Sequence, residues 1–148
     1  MKALVIIDVQ NDFLLNGSLE VPDGNDVIEH INHIIENYAL VVATKDWHPL
    51  NHVSFASNHP GKKIGDVIKV NNCDQILWPN HCVQESKGAD FPATLNIKTI
   101  NKIIYKGINS QIDSYSGFYD NGKIRSTGLS DYLKANNVTS IDFVGLAT

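Results

Sequence analysis

Residues 3–8 (ALVIID) carry five apolar side chains in a row and then a carboxylate. A run that short, rich in β-branched residues, predicts a strand buried on both faces. Between residues 24 and 37 the pattern changes: Val27, Ile28, Ile31, Ile34 and Ile35 recur at helical spacing. Asn25 or Asp26 would cap that helix. Residues 39–45 (ALVVATK) form a second apolar run of strand length. Strand, helix and strand in that order imply a parallel pair with a right-handed crossover.

From residue 46 to residue 99 the periodicity fades, and His, Asn, Pro and Gly accumulate. A long irregular stretch inside one domain is usually functional. Regularity returns with a strand at 102–105 (KIIY), a short helix at 129–135 with Ser126 or Thr127 as its cap, and a strand at 140–146 (SIDFVGL). The expected class is α/β: a doubly wound, mostly parallel sheet with helices on both faces. In such sheets ligands bind beyond the carboxyl ends of the strands. Asp8, Asp46, Lys106 and Thr148 all fall at those ends.

Composition narrows the partners. A chain of 148 residues suits one domain, and 43% hydrophobic residues supply a core. The net charge of −4 and the lack of a Lys/Arg cluster argue against nucleic acid. No stretch approaches the roughly 18 apolar residues that span a bilayer. The N-terminus lacks the pattern of a secretory signal. Cys73 and Cys82 lie in one polar region, and a disulfide between them stays open. A cytoplasmic location is expected; a homo-oligomer is neither required nor excluded.

The irregular stretch holds Asp46, His48, His52 and, from a separate loop, His81. Asp46 and His48 are two apart, so an extended backbone points them the same way. One carboxylate and three imidazoles suit a divalent ion, zinc first, with iron or manganese as alternatives. Any one of these histidines alone would read as a surface residue; the set of four after a strand end favours a metal. His30, His33 and His59 are assigned no role. Asp8 and Lys106 form a second set, either a pair that tunes its own protonation or a structural ion pair. Phe13 and Trp78 could stack on a flat ring, and Tyr115 could close the same pocket; packing and loop anchoring are their ordinary alternatives.

These residues sit in an ordered series of motifs. The pieces are Asp8-Val9-Gln10-Asn11-Asp12-Phe13, Lys45-Asp46-Trp47-His48-Pro49, His52-Val53-Ser54-Phe55, Trp78-Pro79-Asn80-His81-Cys82-Val83, Gly88-Ala89-Asp90-Phe91, Tyr105-Lys106-Gly107, Asp113-Ser114-Tyr115-Ser116-Gly117-Phe118 and Gly145-Leu146-Ala147-Thr148. The series resembles the nicotinamidase branch of the isochorismatase-like cysteine hydrolases, from one end of the chain to the other. The resemblance implies a three-layer αβα fold and hydrolysis of nicotinamide to nicotinate and ammonia, as in NAD salvage. It implies Asp8 as general base, Lys106 as its partner, and Asp46, His48, His52 and His81 as metal ligands. Phe13, Trp78 and Tyr115 would line the substrate, and the Ala147 backbone would face the developing oxyanion.

The family's nucleophilic cysteine is expected at the third position beyond Thr148, and neither Cys73 nor Cys82 matches it. The resemblance therefore predicts a domain, residues 1–148, incomplete at its C-terminus. Three explanations are open: a fragment of a longer protein, an inactive truncated product, or a relative that binds metal or nicotinamide without catalysis.

Overall fold

The computed structural model describes residues 1–146 and residue 148. The elements are β1 (Lys2–Ile7), α1 (Asp26–Ile34), β2 (Leu40–Asp46), β3 (Val67–Val70), β4 (Cys73–Ile76), β5 (Lys102–Lys106), α2 (Leu129–Ala135) and β6 (Ser140–Gly145). Along β1 the side chains alternate between two cores. Leu4 and Ile6 pack with Val41, Ala43, Ile28, Ile31 and Ile35 under α1. Ala3 and Val5 pack with Val42, Ile104, Leu129 and Leu133 under α2. A strand buried on both faces needs apolar residues at every position, hence the unbroken run. Each fully buried Leu or Ile contributes about 1.5–3 kcal/mol.

All four long strands are parallel, in the order β5-β2-β1-β6. One helix covers each face, giving the expected three layers. Every residue of β2 is buried, so its end, Asp46, sits deep at the carboxyl edge of the sheet.

Several boundaries differ from the sequence reading. β1 ends at Ile7, because Asp8 turns into the left-handed region at φ 48°. α1 ends at Ile34 and one 3-10 turn (Ile35–Asn37) follows it. Asn25 does not cap α1 with its side chain; its Oδ1 accepts from the Leu15 N–H at 2.8 Å instead. Gly128 holds the capping position of α2, and the Thr127 hydroxyl accepts from the Leu129 N–H at 3.2 Å.

The segment read as irregular contains an antiparallel hairpin, β3–β4. Asn71 and Asn72 turn it, at φ 48° and 65°, as a two-residue hairpin requires. Asn-Asn between two short alternating runs was the available signal. Cys73 and Cys82 are free thiols. Among the described residues no helix is long and apolar enough to cross a membrane.

Candidate active site

The backbone reversal at Asp8 is closed by the Gln10 N–H donating to the Asp8 carbonyl at 2.8 Å. It drops the Asp8 carboxylate over the end of β2. The Thr44 hydroxyl donates to Asp8 Oδ1 at 2.6 Å, and Lys106 Nζ lies 2.8 Å from Asp8 Oδ2. Lys106 also donates to Asp46 Oδ1 and, at 3.1 Å, to the Ser114 carbonyl. Thr44 was missed in the sequence because a Thr inside an apolar strand reads as a β-former.

One buried ammonium thus serves two buried carboxylates, and they respond in opposite directions. Burial raises Asp8 above the usual carboxylate range, more than Lys106 lowers it. Burial presses Asp46 the same way, but Lys106 and His48 outweigh it and hold Asp46 well below that range. Burial works against the charge on Lys106, and Asp46 and Asp8 together raise its pKa all the same. Carboxylates pushed apart in this way are candidates for different roles, one for proton exchange and one for a fixed anion.

Asp46 is the hinge to the imidazoles. Its Oδ2 lies 3.5 Å from His48 Nε2 and 3.8 Å from His81 Nε2. Backbone pairing sets this geometry: the Trp47 N–H donates to the Lys106 carbonyl at 2.9 Å, and the His48 N–H to the Cys82 carbonyl at 3.0 Å. The second bond brings the His81 loop beside the end of β2. Asp12 clamps that loop from the other side, accepting from the Cys82 N–H at 2.7 Å. Phe55, fully buried, presents its ring to His48, His52 and His81 at centroid distances of 5.4–5.6 Å. Both were missed, Phe55 because a buried Phe looks like any core residue.

The donor set fits a divalent cation. His48 Nδ1 faces the Gly107 carbonyl and His81 Nδ1 the Pro79 carbonyl, each at 2.8 Å. A carbonyl only accepts, so each Nδ1 carries the proton and each Nε2 turns a lone pair inward. His48 Nε2 is buried with no hydrogen-bond partner, as a ligand atom waiting for an ion would be. One ligand atom each from Asp46, His48 and His81 lies within 4.8 Å of the others.

The expected set of four is divided. His52 groups with His48 and Asp113 rather than with Asp46 and His81. Its ring lies against His48, centroids 4.2 Å apart. Its Nδ1 lies 2.7 Å from the Ser54 hydroxyl and 3.3 Å from the Ser54 N–H, and its Nε2, like that of His48, is buried with no hydrogen-bond partner. Burial and His48 push its pKa down to about 4. Asp113, which opens one of the quoted motifs but was given no role there, is buried and accepts from its neighbour's N–H, Ser114, at 2.7 Å.

A cavity of about 460 Å³ opens over Asp8, Asp46, Lys106 and His81, walled by Phe13, Trp78 and Tyr115. The three expected ring contacts therefore converge. Ala147 lies outside the described residues. Cys82 is buried, and burial followed by the nearby carboxylates Asp46, Asp12 and Asp8 pushes its thiol up. Cys73 is on β4, its Sγ 3.8 Å from the Asn121 carbonyl. His59 bonds the Val53 carbonyl at 2.7 Å, and His30 and His33 are exposed on α1.

A parallel α/β sheet with a buried carboxylate–lysine pair and a carboxylate–imidazole cradle at its carboxyl edge marks an enzyme site with a donor set that could hold a divalent metal. The chain belongs to the isochorismatase family, whose domain matches residues 2–148. It is similar to the nicotinamidase of Acinetobacter baylyi, 43% identical over 146 residues, 99% of this chain and 68% of that protein. Among solved structures it is similar to the Acinetobacter baumanii nicotinamidase/pyrazinamidase, with a TM-score of 0.96 and 45% identity over 99% of this chain and 71% of that one. The pyrazinamidase of Pyrococcus horikoshii in complex with zinc superimposes with a TM-score of 0.76 and 34% identity, over 99% and 71% of the two chains.

Proposed function

We propose that this chain carries the site of a metal-dependent amidohydrolase that converts nicotinamide and water to nicotinate and ammonia. The observation that carries the reading is the junction at Lys106, which joins Asp8 to Asp46 at the edge of the imidazole cradle. The nicotinamidases to which the chain is similar supply the substrate. Asp46, His48 and His81 hold the ion, zinc first on this donor set and on the zinc-bound relative. A divalent ion there supplies Lewis acidity toward a ring nitrogen of the substrate.

The chain's own residues do the rest. Phe13, Trp78 and Tyr115 hold the flat ring and keep water off its faces. Asp8 takes the proton of the attacking group, and the Lys106 ammonium stabilises the resulting charge. As the C–N bond breaks, Asp8 returns that proton to the departing nitrogen, which leaves as ammonia. In the thioester route the attacking group is a thiol. Neither Cys73 nor Cys82 is placed to be that thiol. The second reading is binding of metal and nicotinamide without hydrolysis.

The test is zinc content and ammonia release by the protein purified from its natural source, beside a His48→Ala, His81→Ala double variant. Stoichiometric zinc with ammonia release, both lost in the variant, supports the amidohydrolase. Zinc and nicotinamide binding without ammonia supports the second reading. A folded protein that binds neither refutes both.

A further inference from the structure

Gln75 is a polar side chain only 2% exposed, in the β3–β4 hairpin, and nothing in the chemistry above uses it. Its amide nitrogen reaches three acceptors: the Ile76 carbonyl at 2.8 Å, the Tyr115 hydroxyl at 2.9 Å and Asp113 Oδ2 at 3.4 Å. A carbonyl and a carboxylate only accept, so the amide is oriented with nitrogen toward the cavity wall. The Tyr115 hydroxyl also accepts from the Trp78 indole N–H, at 3.3 Å. Two donors therefore hold one phenol oxygen, although the Tyr115 side chain is 53% exposed.

The same amide touches a path that leads to the floor of the site. Asp113 Oδ1 accepts from the Ser114 N–H at 2.7 Å, and the Ser114 carbonyl accepts from Lys106 Nζ at 3.1 Å. Gln75 thus meets the aromatic wall with one contact and, with another, the Asp113 carboxylate that holds Ser114, whose carbonyl anchors Lys106.

We propose that Gln75 is a positioning residue: it locks Tyr115 and Trp78 into one wall and sets that wall's distance from the Lys106 junction. The hairpin, which contributes no group to the chemistry, becomes the brace of the substrate pocket. This rests on the reading that the cavity binds a flat aromatic amide. The wall contacts substrate and not the reacting bond, so its loosening falls on binding.

The experiment uses the zinc-loaded full-length protein with Gln75→Leu, Tyr115→Phe and the double variant. Gln75→Leu raises KM for nicotinamide about three- to tenfold, the worth of one net hydrogen bond, with kcat and zinc content little changed. The double variant is no worse than the more affected single one, since both lose the same contact. A fall in kcat at unchanged KM, or additive effects, overturns the proposal.

A second readout needs no catalysis. The chain has two tryptophans, so Trp47→Phe assigns the Trp78 indole N–H resonance. That resonance shifts and exchanges faster in Gln75→Leu; an unmoved resonance in a folded variant overturns the proposal. If Gln75→Leu does not fold, Tyr115→Phe, at a half-exposed position, carries the test, and an unchanged indole resonance there also overturns it. A wild-type protein that holds zinc but ignores nicotinamide refutes the functional reading, while the indole resonance still decides the role of Gln75.

Discussion

Gln10 and Asp46 are joined twice. The Gln10 side-chain amide donates to the Asp46 carbonyl at 2.8 Å, and the Asp46 N–H donates back to Gln10 Oε1, also at 2.8 Å. A side chain here does what a neighbouring strand does elsewhere, at the point where β1 has turned away and left that side of the end of β2 without a strand, while β5 still pairs with the other side. The backbone of the metal-facing carboxylate is held by this pair.

Gln10→Ala accordingly strips partners from buried groups of Asp46 and from the Ala89 carbonyl, which also accepts from Gln10 at 3.0 Å. Unsatisfied buried groups cost about 1–3 kcal/mol each, so with three groups affected stability falls by about 3 kcal/mol or more and zinc affinity falls with it. Chemical denaturation with and without zinc measures both; unchanged stability would show that the pairing is dispensable.

Gly107 stands at φ 62°, and a Cβ there would lie 2.2 Å from His48 Cε1. Its carbonyl also orients that ring. Gly107→Ala is expected to weaken zinc binding about 10- to 100-fold, the range for disturbing the outer partner of a ligating histidine. Gly61→Ala is the control, with φ 78° and nothing within 4 Å; it shares the backbone strain but leaves zinc affinity intact. Equal losses in competition titrations with a chelating dye would remove His48 from the explanation.

His52 gives the metal-free protein a pH-dependent liability. Its folded pKa is depressed from the model-peptide value of 6.5 to about 4, so between these values the unfolded chain binds the extra proton. Stability contributed by the neutral ring is present above about pH 6.5 and is lost as pH falls toward 4. Removal of the titrating group by His52→Gln therefore improves stability relative to wild type on acidification, by about 3 kcal/mol between neutral pH and the lower limit. Parallel wild-type and variant curves across that window would contradict the assignment.

Cys82 is buried, and its thiol is held protonated at neutral pH by burial and by the surrounding carboxylates. Cys82→Ala should keep zinc content and ammonia release within about twofold while lowering stability by about 1 kcal/mol, the size of the packing lost with one small buried group. Abolished hydrolysis in a folded, zinc-loaded variant would instead make Cys82 the nucleophile.

The sheet was legible in the chain because burial on both faces demands an unbroken apolar run, and only strands 3–8 and 39–45 satisfy that at strand length. The carboxyl-edge position of Asp8, Asp46 and Lys106 followed from the same runs, since each residue is the first charge after apolar side chains or lies within one position of it. The hairpin escaped because β3 and β4 are short and partly polar, and their signal is a turn rather than a period.

By itself, then, the sequence determined the parallel α/β class, the edge of the sheet that bears the site, and the residue types that gather there. Tertiary structure alone decided how they divide. Asp8 and Asp46 are the same residue type at two strand ends, and only their surroundings, Lys106 and His48 among them, shift their pKa values in opposite directions. His52 is four residues from His48, yet the folded chain groups it with His48 and Asp113 rather than with Asp46 and His81. Gln75 carries no pattern of its own, and the motifs that contain Asp113 and Phe55 do not say what those side chains touch. Their roles come from contacts across 38 or more residues for the Gln75–Asp113 pair, and a contact between distant segments exists only once the chain has closed around it.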